Sequence, residues 1–144
     1  MAAQSAAATI LIADDNPQIL ELLEAYLEPL AVRVVTARDG QATLEAVERD
    51  PPDLILLDIM MPRRSGFEVC RLLKRDPRYR DIPIIMVTAL NELADAERAR
   101  ESGADYFLSK PVNKLELLER IRELLARRGE GRREPDDGAA ERDA

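Results

Sequence analysis

The 144-residue chain has no histidine, no tryptophan and one cysteine, and aromatic residues make up 3% of it. Without histidine it holds no His-based zinc site, no Ser-His-Asp triad and no phosphohistidine of its own. A single cysteine excludes an internal disulfide and suits a reducing cytoplasm. Cys70 lies among apolar neighbours in GFEVCRLLK, where a packing thiol is expected rather than a nucleophile. No run approaches the roughly 18 apolar residues of a membrane span. The start, MAAQSAAATILIADD, lacks a positive n-region, and its apolar run ends in two aspartates, so it does not read as a signal peptide. Positive charge is also short: 21 Lys and Arg against 28 Asp and Glu give a net charge of −7. Such a balance disfavours direct nucleic-acid binding and anionic membrane surfaces.

What is present is a globular composition, 46% hydrophobic and 34% charged, at the length of one domain. Residues 1–8 read as a disordered arm, and GEGRREPDDGAAERDA (129–144) as a disordered tail or linker. The working domain is then 9–128. Five runs read as strands: Thr9–Ala13, Arg33–Ala37, Asp53–Asp58, Ile82–Thr88 and Asp105–Lys110. The first, third and fourth are apolar on successive residues, as in parallel strands covered on both faces. The second is more polar and belongs nearer an edge.

Helical periodicity fills the intervals. Asn16 is a candidate N-cap with Pro17 as first helical residue, and Ile19, Leu23, Tyr26, Leu27 and Leu30 follow at helical spacing. Gly40–Arg49, Gly66–Arg75 and Glu92–Ser102 are the next three helices, the last closed by Gly103. The fifth, Asn113–Arg128, should turn Leu115, Leu118, Ile121, Leu124 and Leu125 inward and stop at Gly129. Five alternations of strand and helix predict an α/β domain, (βα)5, with a parallel sheet and helices on both faces.

Such sheets place their sites outside the carboxyl ends of the strands. Those ends carry Asp14 and Asp15, Asp58, Thr88, and Lys110 with Pro111. Two unit charges about 4 Å apart repel by about 4 kcal/mol at an effective dielectric of about 20. Lys110 offsets part of this, and a hard divalent cation such as Mg²⁺ would offset more. Mg²⁺ held by few carboxylates commonly bridges to phosphate oxygens, which brings a phosphoryl group into consideration.

The motifs ADDNP, LLDIMMP, VTA and SKP, in this order at the strand ends, resemble the receiver domains of two-component response regulators, from about Ile10 to Leu125. The resemblance implies a flavodoxin-like fold with strand order 2-1-3-4-5 and a phospho-acceptor at Asp58. The donor is then a histidine kinase or histidine phosphotransfer protein. It further implies Mg²⁺ held by Asp15, Asp58 and the backbone carbonyl of Met60, with Asp14 acting largely through water. Thr88 and Lys110 would stabilise the phosphoryl oxygens, and Lys110–Pro111 is a candidate for a cis bond. Thr88 and Phe107 form the implied switch; Phe107 stands where many relatives carry tyrosine, so looser coupling is expected. Tyr106 should face the other side of the sheet. The surface of the fourth helix, fifth strand and fifth helix is the implied face for a homodimer or a downstream partner.

Each residue also has an ordinary reading. Asp14 and Asp15 could cap the first helix, Asp58 could end a strand at a turn, and Thr88, Lys110 and Phe107 could be a β-former, a surface lysine and core. Two other functions share this fold. A Mg²⁺ phosphatase working through an aspartyl-phosphate needs an acid two residues after its nucleophile, and Met60 cannot serve. A flavodoxin-like cofactor binder needs glycines and N–H donors after the first strand, where ADDNP supplies carboxylates. The stretch GFEVCRLLKRDPRYRDIPIIMVTALNE resembles receivers joined to cyclic-di-GMP-making domains, free-standing receivers and those of hybrid kinases alike, so a receiver within a longer regulator is the alternative reading.

Overall fold

The computed structural model describes residues 7–89 and 93–133. Strands β1 (Thr9–Ala13), β2 (Arg33–Ala37), β3 (Leu54–Leu57), β4 (Ile84–Thr88) and β5 (Tyr106–Ser109) alternate with helices α1 (Pro17–Tyr26), α2 (Gly40–Arg49), α3 (Gly66–Arg75), α4 (Leu93–Glu101) and α5 (Lys114–Arg133). The strands form one parallel sheet in the order β2-β1-β3-β4-β5. Every residue of β1, β3 and β4 is buried, which is why their sequences run apolar without alternation. Strand β2 lies at an edge and exposes Arg33 and Thr36.

Strand alternation divides the core in two. Leu11, Ile55, Leu57 and Met86 point to the layer of α2, α3 and α4, where they meet Val47, Phe67, Val69 and Leu73. Ile10, Ile12, Leu54 and Leu56 point the other way and meet Leu20 and Leu23 of α1, Leu27 just past its end, and Leu117, Leu118 and Ile121 of α5. Phe107 packs on the first layer and its neighbour Tyr106 on the second, as alternation requires. No described helix is long and apolar enough to cross a membrane.

Helix starts follow local chemistry. Asn16, Asp39 and Ser65 cap α1, α2 and α3 by accepting from the backbone N–H groups of Gln18, Ala42 and Glu68 at 2.8, 2.7 and 3.2 Å. Gly103, at φ 100°, follows α4 in the left-handed conformation that glycine adopts most cheaply.

Several boundaries and one orientation differ from expectation. Strand β4 begins at Ile84 rather than Ile82, because Pro83 brings no N–H to the ladder and Ile82 N–H donates to the Tyr79 carbonyl instead (3.0 Å). The expected start of the fourth helix, Glu92, and residues 1–6 and 134–144 of the expected arm and tail lie outside the described residues. Helix α5 starts one residue late, with Asn113 accepting from Glu116 N–H (2.9 Å), and passes Gly129 to reach Arg133. An interior glycine costs a formed helix only about 1 kcal/mol. Leu115 is 72% exposed instead of inward; Leu117 takes its place at 0%, alongside Leu118, Ile121 and Leu124. Two residues are about 200° of helix rotation, so Leu115 and Leu117 must face opposite ways.

At the amino edge of the sheet, Asp105 accepts from Ile84 N–H (2.8 Å) and Lys74 Nζ (3.0 Å), joining α3, β4 and β5. Asp105→Ala leaves that backbone donor without its partner and is expected to cost about 1–3 kcal/mol, measurable as a lower urea midpoint at unchanged m-value.

Candidate functional site

Because the strands are parallel, their carboxyl ends share one edge, and single backbone hydrogen bonds carry the sheet one residue further. Asp14 N–H donates to the Ala37 carbonyl (3.0 Å), Asp58 N–H to Ala13 (2.9 Å) and Lys110 N–H to Thr88 (2.6 Å). Three acidic or basic side chains from β1, β3 and β5 are thereby aimed at one spot. Oxygens of Asp14, Asp15 and Asp58 lie within 4.8 Å of one another. Lys110 Nζ sits 2.9 Å from Asp14 Oδ2 and 3.9 Å from Asp58 Oδ1.

The three carboxylates differ in surroundings. Asp14 is buried and also accepts from Asn16 N–H at 2.9 Å, while Asn16 itself caps α1. Helix capping therefore does not account for the aspartate pair. Asp15 is exposed. Asp58 is buried, and its carboxyl is pushed up from 3.8 to about 6, first by burial and then by the charge of Asp14. Lys110 and a hydrogen bond from Met60 N–H act in the opposite direction. All the donors are hard oxygens in a partly wet crevice with surplus negative charge, which fits a hard divalent cation.

The other expected residues gather around this point. Thr88 ends β4 and is buried. Phe107 is half-buried opposite Met86, while Thr88 stands opposite Ser109, so Phe107 and Thr88 are diagonal neighbours on one face of the β4–β5 pair. The Lys110–Pro111 peptide is cis. Met60 has a 64% exposed side chain beside the cluster.

Two features escaped sequence reading. Gly66 donates to the Ile59 carbonyl (2.8 Å), and any Cβ there would collide with the Asp58 carbonyl oxygen. The glycine thus lets α3 start directly against the backbone of Asp58; its signal was the Ser-Gly pair heading the helix. The second is Arg98 of α4, whose guanidinium lies 4.2 Å from the Phe67 ring centroid. Asp15, Met60, Phe67 and Arg98 line a hollow of about 510 Å³ beside the cluster. An arginine on a helix surface carries no sequence signal for such a stacking partner.

A sequence model of the family described as "Response regulator receiver domain" matches residues 10–122. The chain belongs to the response regulator receiver family. Response regulator PleD of Caulobacter vibrioides is 47% identical over 117 residues, which are 81% of this chain and 26% of that protein. The DNA-binding dual master transcriptional regulator RpaA of Synechocystis is 44% identical over 82% of this chain and 49% of its own length. The chain thus spans half or less of these curated relatives. Among solved structures, a CheY-like receiver domain protein of Methanospirillum hungatei superposes with a TM-score of 0.80 at 30% identity, covering 87% of this chain and 98% of that one. The receiver domain of a histidine kinase of Syntrophus aciditrophicus gives 0.78 at 36% identity, covering 83% and 91%. Phosphorylation on aspartate and Mg²⁺ binding are characteristic of receivers, and the acidic cluster stands at the carboxyl edge of this receiver sheet.

The raised Asp58 value has a signed consequence for the metal-free receiver. A carboxyl that titrates higher when folded holds its proton more tightly in the native state, so stability falls as pH rises from about 4 to about 6. Urea titrations across that window are expected to show the fall in wild type and to lose that contribution in Asp58→Asn.

Proposed function

We propose that Asp58 accepts a phosphoryl group from a histidine kinase or histidine phosphotransfer protein in a Mg²⁺-dependent reaction, and that the phosphorylated receiver presents an altered protein-binding surface. The reading rests above all on the convergence of Asp14, Asp15 and Asp58 within 4.8 Å beside the Lys110 ammonium. Asp58 Oδ attacks phosphorus in line; with phosphohistidine the P–N bond breaks and the imidazole leaves with the electron pair and takes up a proton. With acetyl phosphate the P–O bond breaks and acetate leaves.

Asp15, Asp58 and the Met60 carbonyl would hold Mg²⁺, with Asp14 acting largely through water. When bound, the ion offsets charge on the transferring oxygens. Lys110, already between Asp14 and Asp58, has a short path to the new phosphoryl group. Thr88 supplies a hydroxyl to the same oxygens, and its diagonal neighbour Phe107 follows it by packing. Met60 brings no acid to protonate a leaving group, so the chain performs its own phosphorylation and dephosphorylation rather than turning over an external ester.

Output is assigned to the face of α4, β5 and α5, either as a homodimer or toward an effector. There Tyr106 donates to Glu116 (3.1 Å) and Arg120 stacks 4.7 Å over the Tyr106 ring. The partners are other proteins rather than nucleic acid or membrane, and the compartment is the cytoplasm. A second reading, a receiver within a longer effector-bearing regulator, is favoured by the small share of its curated relatives that this chain spans.

Incubation with acetyl phosphate and Mg²⁺ is expected to add one phosphoryl mass to the wild-type chain, and none after chelation or in Asp58→Asn. Equal labelling of Asp58→Asn sinks the assignment. Thr88→Ala is expected to slow phosphorylation about tenfold or more, as loss of a hydrogen bond to a charged transition state does. Lys110→Ala should still take up some phosphate but lose the phosphorylation-linked change in the amide spectrum of β5, recorded by NMR.

A further inference from the structure

Charge is unevenly placed on this molecule. From Pro17 to Leu30 the chain carries Glu21, Glu24 and Glu28 and no Lys or Arg. From Gly66 to Asp81 it carries five basic residues against three acidic ones. Much of that basic set is already engaged, Lys74 with Asp105 and Arg78 with Asp76. Arg71 and Arg75 are not: both are exposed on α3, and neither has an ion pair among the described residues. Between them stands Leu72, one of the few large apolar side chains left in solvent, 41% exposed. Arg75 neighbours Arg71 four residues before it and Leu72 three before it, so the exposed side of α3 offers a leucine knob beside a pair of guanidinium groups.

The end of helix α1 and the turn after it carry the complementary charge. Glu21, Glu24 and Glu28, likewise without ion pairs among the described residues, rim a hollow of about 400 Å³ floored by Leu27, Val32 and Val34. The knob belongs to the layer packed on Val69, Cys70 and Leu73; the hollow belongs to the opposite layer, packed on Leu20, Leu23 and Leu27. One chain cannot bring its own knob to its own hollow across the sheet.

We propose that the occupant of the α1 hollow is α3 of a second copy of this chain, with Leu72 seated on the apolar floor and Arg71 and Arg75 reaching the glutamate rim. The contact is heterologous: each copy keeps a free hollow and a free knob, so association runs head to tail. Two short helices meet over less than the roughly 1,200 Å² of a standard stable interface, so the association is weak and rapidly exchanging. Its drive is local. The overall charge of −7 opposes it, yet at about 0.1 M salt the screening length is only about 10 Å, and opposed groups in contact dominate.

Sedimentation equilibrium of the full chain over a concentration series tests this. Wild type is expected to show a rising average mass at about 0.1 M salt and at least tenfold weaker association at about 1 M, where screening acts within about 3 Å. E21K/E24K and R71E/R75E, checked for folding by circular dichroism, should each remain monomeric. Mixed in equal amounts, each variant presents a knob complementary to the other's hollow, so association that neither shows alone should return as alternating head-to-tail species. All four substitutions on one chain exchange the charges and should restore self-association. A wild type that stays monomeric at every concentration overturns the proposal. So do variants that associate as well as wild type, or a mixture that stays monomeric; binding of some other protein by these faces, with the chain itself monomeric, counts against it equally.

Discussion

Mutual repulsion among three carboxylates governs the top of this molecule. Backbone hydrogen bonds fix Asp14 and Asp58 at the strand ends, and Asp15 follows Asp14, so the three carboxylates lie within 4.8 Å of one another. Lys110 relieves part of the conflict and is drawn to Asp14 (2.9 Å) more closely than to Asp58 (3.9 Å). The result is that Asp58 is left with incomplete compensation, and burial raises its affinity for a proton. A carboxylate so placed is receptive to any group that brings positive charge or removes negative charge. The apolar strands beneath exist, in this sense, to keep the conflict from dispersing.

The loops around the site serve the same end by polar and steric means. Gly66 brings the start of α3 against the Asp58 carbonyl, and Met60 N–H bonds the Asp58 carboxylate, so Asp58 is held by the chain that follows it at both its backbone and its side chain. Cys70 is closed off in the same layer: its thiol donates to the Ser102 carbonyl (3.4 Å), and burial pushes it up from its ordinary value, which keeps it unreactive. Arg98 stacked on Phe67 then links α4 to the foot of that loop.

Much of this was legible in the sequence because it depends on strand ends. Unbroken apolar runs identify β1, β3 and β4, parallel topology sends their next residues to one edge, and the residues there are Asp14, Asp58 and Thr88. What was not legible depends on exact phase or on contacts between distant elements. Leu115 and Leu117 are both leucines on an apolar helix, and only the cap at Asn113 and the packing on β3 decide which turns inward. The run of α5 past Gly129 reflects a helix already secured by tertiary contacts, such as Arg128 to the Asp81 carbonyl (2.8 Å). Gly66 and Arg98 matter through what lies against them, and that is fixed only once the sheet is assembled.

The Lys110–Asp14 pair joins residues 96 positions apart, and every strand in the sheet pairs in parallel with partners a crossover away. Few of these contacts are local, so chain closure must be largely complete before the charged centre exists. A nascent or half-folded chain has its aspartates dispersed in water at ordinary acidity, with no lysine beside them. Competence at this centre therefore reports on the integrity of the entire fold, and chains still folding are kept silent without any separate safeguard.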